Sequence, residues 1–97
     1  MKYVLFFEGP LARGKLSSRS PEESAKRSEA RKDEKKYGKM ILEAHYYATG
    51  KGIAIVEFDN YKQIANRMAL GEPEIIYQIC PLIPGTDMGE ASQAHSK

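Results

Sequence analysis

A second cysteine is missing from this chain, so Cys80 cannot close an internal disulfide. A lone thiol points to a reducing compartment, and a cytoplasmic location is the expectation. Histidine is nearly missing too. His45 and His95 lie far apart, and one cysteine cannot complete a zinc pattern with them, so no metal is expected. Long apolar runs are lacking. None nears the ~20 residues of a membrane span. Tyr3–Phe7 is too short for a signal-peptide core and stops at Glu8. These gaps argue against a membrane protein and a secreted disulfide scaffold. No internal repeat is present.

What is there is small. A chain of 97 residues makes one domain. At that size folding buries roughly 60–65% of the unfolded chain's surface, so the core is thin and a second copy would help. The net charge of +2 is unevenly spread. Residues 10–39 carry ten Lys/Arg against five Asp/Glu, whereas residues 40–97 carry four against seven. The asymmetry hints at an anionic partner near residues 13–39, with a solvated mixed-sign face as the plainer reading.

Lys2–Glu8 is aromatic and β-branched and ends at Gly9-Pro10, the pattern of a buried strand. Gly9–Arg19 is a long loop for a compact domain, which marks it as a candidate functional loop. Ser20-Pro21-Glu22-Glu23 starts a helix: Ser20 can cap, Pro21 suits the first helical position, and Glu23 can close a capping box. The helix should run to Tyr37, with Gly38 just past it. It has no apolar stripe, since Ala25 lies far around from Ala30 and Tyr37. Such a helix docks weakly or relies on charge pairs such as Glu22–Lys26 and Glu23–Arg27, while Arg27–Arg31 and Arg31–Lys35 repel.

The hairpin Met40–Phe58 turns at Thr49–Gly52. Read with a period of two, Met40, Leu42, Ala44, Tyr46 and Ala48 share a core face with Ala54, Val56 and Phe58. Ile41, Glu43, His45 and Tyr47 share the other with Ile53, Ile55 and Glu57. Asp59 or Asn60 then caps a helix with the stripe Tyr61, Ile64, Ala65 and Met68, ended by Gly71 and Pro73. Glu74–Ile83 is the last strand. Residues 84–97 read as a flexible polar tail in which His95 is solvated, leaving 1–83 as the single domain.

The order strand, helix, strand, strand, helix, strand is the split βαββαβ pattern. It predicts an α+β, ferredoxin-like fold with both helices on one face of a four-stranded antiparallel sheet. Ile41, Tyr47, Ile53 and Ile55 would lie on the bare face, a patch that suits an interface or ligand site. The long loop after the first strand, the short strand containing His45 and the string Gly52-Ile53-Ala54-Ile55-Val56-Glu57 followed by Asp59 resemble the dimeric α+β barrel superfamily. More narrowly, the chain resembles one of that superfamily's uncharacterised short-domain families. The basic first helix departs from the pattern, because members dock that helix on the sheet. The resemblance spans residues 2–83 and implies a homodimer with a cavity near the sheet. Relatives include cofactor-independent monooxygenases, isomerases and dehalogenating or chlorite-handling enzymes, along with proteins of no known activity.

Glu43, His45, Tyr47 and Glu57 are the candidate catalytic group. A register pairing His45 with Ile55 sets Glu43 against Glu57. Two close carboxylates raise at least one pKa, and a neighbouring imidazole can move a proton near neutrality. A register shifted by one residue separates His45 from Glu57. Gly9–Lys15 (GPLARGK) matches the start of a phosphate loop, but Leu16 occupies the magnesium-binding Ser/Thr position and Pro10 lacks an N–H. Arg13, Lys15 and Arg19 remain as a candidate anion-binding loop. The basic helix lacks interleaved aromatics, which weighs against nucleic acid. Cys80 reads as a small core residue.

The first expectation is therefore a homodimer that binds a small, mostly apolar organic molecule between sheet and helices or at the dimer interface. If it is an enzyme, it uses no metal or cofactor. His45 is then acid/base, oriented by Glu43, Glu57 or Tyr47, with Arg13–Arg19 as lid or anion clamp. The alternative is a non-enzymatic interaction protein whose basic loop and first helix meet an acidic partner or nucleic acid. A third possibility is that the mixed face only builds the dimer.

Overall fold

The computed structural model describes residues 1–95, with the side chains of residues 1–93. Its elements are β1 (Lys2–Glu8), α1 (Pro21–Ala30), α2 (Glu34–Tyr37), β2 (Lys39–Ala48), β3 (Lys51–Glu57), α3 (Tyr61–Gly71), β4 (Ile76–Pro81) and α4 (Gly85–His95). A single 3-10 turn spans Pro10–Arg13. The strands form one antiparallel sheet in the order β2-β3-β1-β4, so the architecture is α+β.

Strict alternation in β1 and β3 positions the core. Leu5 and Phe7 lie beside Ala54 and Gly52 in the ladder, and all four are buried. Leu5, Val56 and Phe58 form the buried cluster, joined from the helical side by Ile64 of α3 and from neighbouring strands by Tyr3, Met40, Tyr77 and Ile79. Val4, Phe6, Ile53 and Ile55 fall on the opposite face, where Phe6 is exposed and the other three are half-buried.

The first helix is two helices. Ser20 accepts the Glu23 amide at 3.1 Å, as its sequence implies. The Glu23 carboxylate, however, pairs with Arg27 at 2.9 Å. The helix stops at Ala30. Asp33 then caps α2 by accepting the Lys36 amide at 3.3 Å. An Asp favours a cap over a helix interior, and the repelling Arg27–Arg31–Lys35 series gains nothing from continuity.

α3 departs from its expected apolar stripe. Its buried residues are Gln63, Arg67 and Gly71, spaced by four, while Tyr61 is 85% exposed. The polar row has partners. Gln63 donates to Lys35 O at 3.1 Å, Asn66 to Lys36 O at 3.0 Å and Arg67 Nε to Tyr37 O at 2.8 Å. These are the orphan carbonyls at the end of α2, so α3 caps its neighbour with side chains. Gly71 leaves room for the Tyr77 ring, which would lie 2.5 Å from an added Cβ.

Two further expectations change. β4 is shorter than Glu74–Ile83. Past it, within the segment expected to be a flexible polar tail, Gly85–His95 is helical and exposed through residue 93. The side chain of His95 and residues 96–97 lie outside the described residues. Cys80 is a free, half-buried thiol opposite Val4, away from the core cluster.

Gly50 closes the hairpin with φ 72°, and its carbonyl accepts the Gly9 amide at 2.7 Å. A Cβ there would collide with the Ala12 backbone. Gly50→Ala should therefore cost about 1–3 kcal/mol in urea unfolding, from the left-handed backbone and the collision together. Unchanged stability would show that the turn does not press on the 10–13 segment.

Candidate functional site

A cleft of ≈ 470 Å3 opens above one end of the sheet. Phe7 and Tyr46 contribute an apolar floor, their rings meeting edge to face at 5.5 Å and 85°. Pro10 and Leu11 line it from the loop, Thr49 and Gly50 from the hairpin turn, and Ser24 from α1. Arg19, Ser17 and Glu74 bring polar groups to it. An apolar hollow with a few converging polar groups is the usual form of a small-molecule site.

Glu74 organises the polar wall. Ser17 donates to one carboxylate oxygen at 2.8 Å and Ser18 Oγ to the other at 2.6 Å; the Ser18 amide also donates to it. Arg19 Nε lies 3.6 Å from the carboxylate, and both side chains are at most 10% exposed. Arg19 Nη2 donates to Gly71 O at 2.6 Å and Glu72 O at 3.0 Å, while Arg13 donates to Glu74 O at 2.5 Å. Hydrogen bonds from Ser18 and then Ser17 hold the carboxyl at about 2 against an ordinary 4.5, with the Ser18 amide and the Arg19 charge adding to them. The loop after β1 is thus strapped to the start of β4 by a carboxylate inside it.

This strap changes the expected anion clamp. Arg19 already faces a carboxylate and two carbonyls of the chain, and Arg13 another carbonyl, so Lys15 remains as the exposed cation of the three without a described partner. Helix α1 begins at Pro21, too late for the Gly9–Lys15 segment to form a phosphate cradle.

The candidate catalytic group does not converge. β2 is irregular between Met40 and Leu42, between Leu42 and His45, and between Tyr46 and Ala48. His45 therefore sits opposite Ile53 rather than Ile55, and Leu42 opposite Ile55. Glu57 lies across from Lys39 and Lys2. Glu43 borders a depression shared with Arg31, Lys32 and Glu34, on the side of α1 and α2. His45 is exposed and donates from Nδ1 to Glu43 O at 2.6 Å; Tyr47 is exposed as well. Each extra residue in a bulge moves the later side chains of the strand to the other face. Simple alternation from Met40 to Ala48 could not anticipate this.

Sequence reasoning missed Glu74 and the pairing of Phe7 with Tyr46. The only local signal for Glu74 was a carboxylate directly before a nearly apolar run. Among the described residues, no group of three or more His, Cys, Asp or Glu is placed to hold a metal ion, and no helix is long and apolar enough to cross a membrane. No protein-family model matches the chain, and neither a curated protein nor a solved structure matches it.

Glu74 ties loop order to pH. Its depressed folded pKa contributes stability that is present above about 4.5 and lost as the pH falls towards about 2. Glu74→Gln should remove that acid-side loss and should speed tryptic cleavage after Lys15 and Arg19 at neutral pH. Cleavage at the wild-type rate would mean that the strap does not order the loop.

Proposed function

We propose that this protein binds a small, largely apolar organic molecule in the Phe7–Tyr46 cleft and acts as a homodimer. The cleft itself carries the reading: aromatic edges form its floor, and one strapped loop supplies its polar side. Because Glu43, His45, Tyr47 and Glu57 do not converge, the arrangement favours binding over acid–base turnover.

The strand order β2-β3-β1-β4, with helical segments between β1 and β2 and between β3 and β4, supports a ferredoxin-like reading. A dimeric α+β barrel would use the face bearing Val4, Phe6, Ile53 and Ile55 to meet its twin. That apolar face supports such an interface, since patches of this kind are uncommon on monomers. A basic surface for nucleic acid or an acidic partner has less support. Arg13, Arg19 and Arg27 donate to carbonyls of the chain itself, Arg27 to Leu70 O.

Ser24→Trp should block the cleft from its α1 wall. Ser24 is exposed, so folding stability should stay within about 0.5 kcal/mol. Titration with benzyl alcohol, followed by amide shifts at Thr49 and Gly50, should saturate for the wild type and disappear for the variant. Equal shifts in both proteins would place binding elsewhere.

Sedimentation equilibrium tests the pairing of sheets. The wild type should be dimeric and Phe6→Glu monomeric; a wild-type monomer would remove the dimer from the reading.

A further inference from the structure

Behind the cleft lies a smaller recess of ≈ 130 Å3 between the sheet and the helices. It shares Phe7, Tyr46 and Ile75 with the cleft, so the two spaces have a common wall. Most of its lining is apolar or aromatic, including Leu5, Met40 and Tyr77. A cavity of about 150 Å3 can hold one benzene ring, so this recess is on the scale of a single ring or a short aliphatic chain.

Two of its lining residues are arginines. Arg67 is 3% exposed. Its Nε donates to Tyr37 O, but its Nη2 is buried with no hydrogen-bond partner. Arg31 lines the same recess from the end of α1. Among the described residues neither guanidinium has an ion-pair partner. Glu34 and Glu43 share the adjoining depression with Arg31, but they do not line the recess. Burial, and then the charge of Arg31, push the Arg67 pKa below its ordinary value.

A buried guanidinium with unspent donors is costly, and a second cation nearby adds to the cost. Arg67 needs only its Nε to cap α2, a task a neutral donor could perform, as Gln63 and Asn66 do. The surplus charge suits an anion brought from outside. A planar guanidinium offers its donors as a fork that fits a carboxylate. A bare inorganic anion would leave the apolar walls unused.

We propose that the recess beside Arg67 and Arg31 binds the carboxylate of a small organic acid whose apolar body lies against Met40, Phe7 and Tyr46. The inference rests on the binding reading above and identifies the chemical class of its ligand. A longer acid extends past Phe7 and Tyr46 into the outer cleft. Binding offsets one of the two positive charges and gives the open Arg67 Nη2 an acceptor.

Calorimetry on the full chain with benzoate, benzyl alcohol and inorganic phosphate tests it. Benzoate should bind saturably, and benzyl alcohol, which has the same ring without the charge, about tenfold or more weakly. Arg67→Met should lower benzoate affinity to the level of benzyl alcohol while leaving benzyl alcohol within about threefold, because only the charged hydrogen bonds are lost. Arg67 also caps Tyr37 O, so circular dichroism must show that the variant folds. Should it not fold, Arg31→Met supplies the test, since the Arg31 side chain holds no described partner. Benzoate binding should then weaken about three- to tenfold from the loss of one nearby charge.

Benzoate no tighter than benzyl alcohol on the wild type would overturn the carboxylate inference while leaving the apolar cleft standing. Absence of binding by both would overturn the cleft reading and this inference together. Phosphate displacing benzoate at equal concentration would overturn the organic acid in favour of a bare anion. An affinity for benzoate unchanged in a folded Arg67→Met or Arg31→Met variant would move the site away from these arginines.

Discussion

The carbonyl oxygens at the end of α2 need partners, and α3 supplies them. The helix Glu34–Tyr37 is one turn long, so most of its carbonyls lack intrahelical donors. Gln63, Asn66 and Arg67 reach across and donate to them. This contact fixes α2 against α3, presents Tyr37 to the interior and sets the chain's entry into β2. Without it the two helical segments would meet through few apolar side chains, because the buried core cluster among the described residues is small: Leu5, Val56 and Phe58.

The same arrangement recurs at the other end of the sheet. The loop after β1 has little apolar content to bury, and Glu74 gathers it through Ser17, Ser18 and Arg19. α1 buries no residue of its own and is held chiefly through Arg27, which donates to Leu70 O. A helix attached by one long side chain does not close down on the sheet as an apolar stripe would. Space consequently remains above Phe7 and Tyr46, and behind it around Arg67. The hollow results from the polar way in which the helices are attached. A thin core and an open hollow share one cause, since helices attached through polar groups leave space over the sheet.

Local chemistry is read well wherever a few neighbouring residues decide it. β1 spans Lys2–Glu8 as expected, and Ser20 and Asn60 cap their helices. The hairpin turn and the end of α3 also rest on short-range signals. Reading fails where a residue's role depends on something distant. Asp33 looks like a helix-interior carboxylate until the break makes it a cap. Gln63 and Arg67 look like solvent-facing positions until α2 is placed beneath them. His45 and Glu43 look like partners of Glu57 until the bulges in β2 are known.

Sequence alone established the α+β class, the number of strands, their approximate limits and the polarity of the first helix, because these rest on periodicity and capping within one or two turns of chain. The folded molecule settled the register of β2 and β3, the strap formed by Glu74, and the buried guanidinium beside an apolar recess. Each of those joins residues tens of positions apart, and a bulge or a side-chain hydrogen bond between distant segments leaves no periodic trace in the chain that makes it.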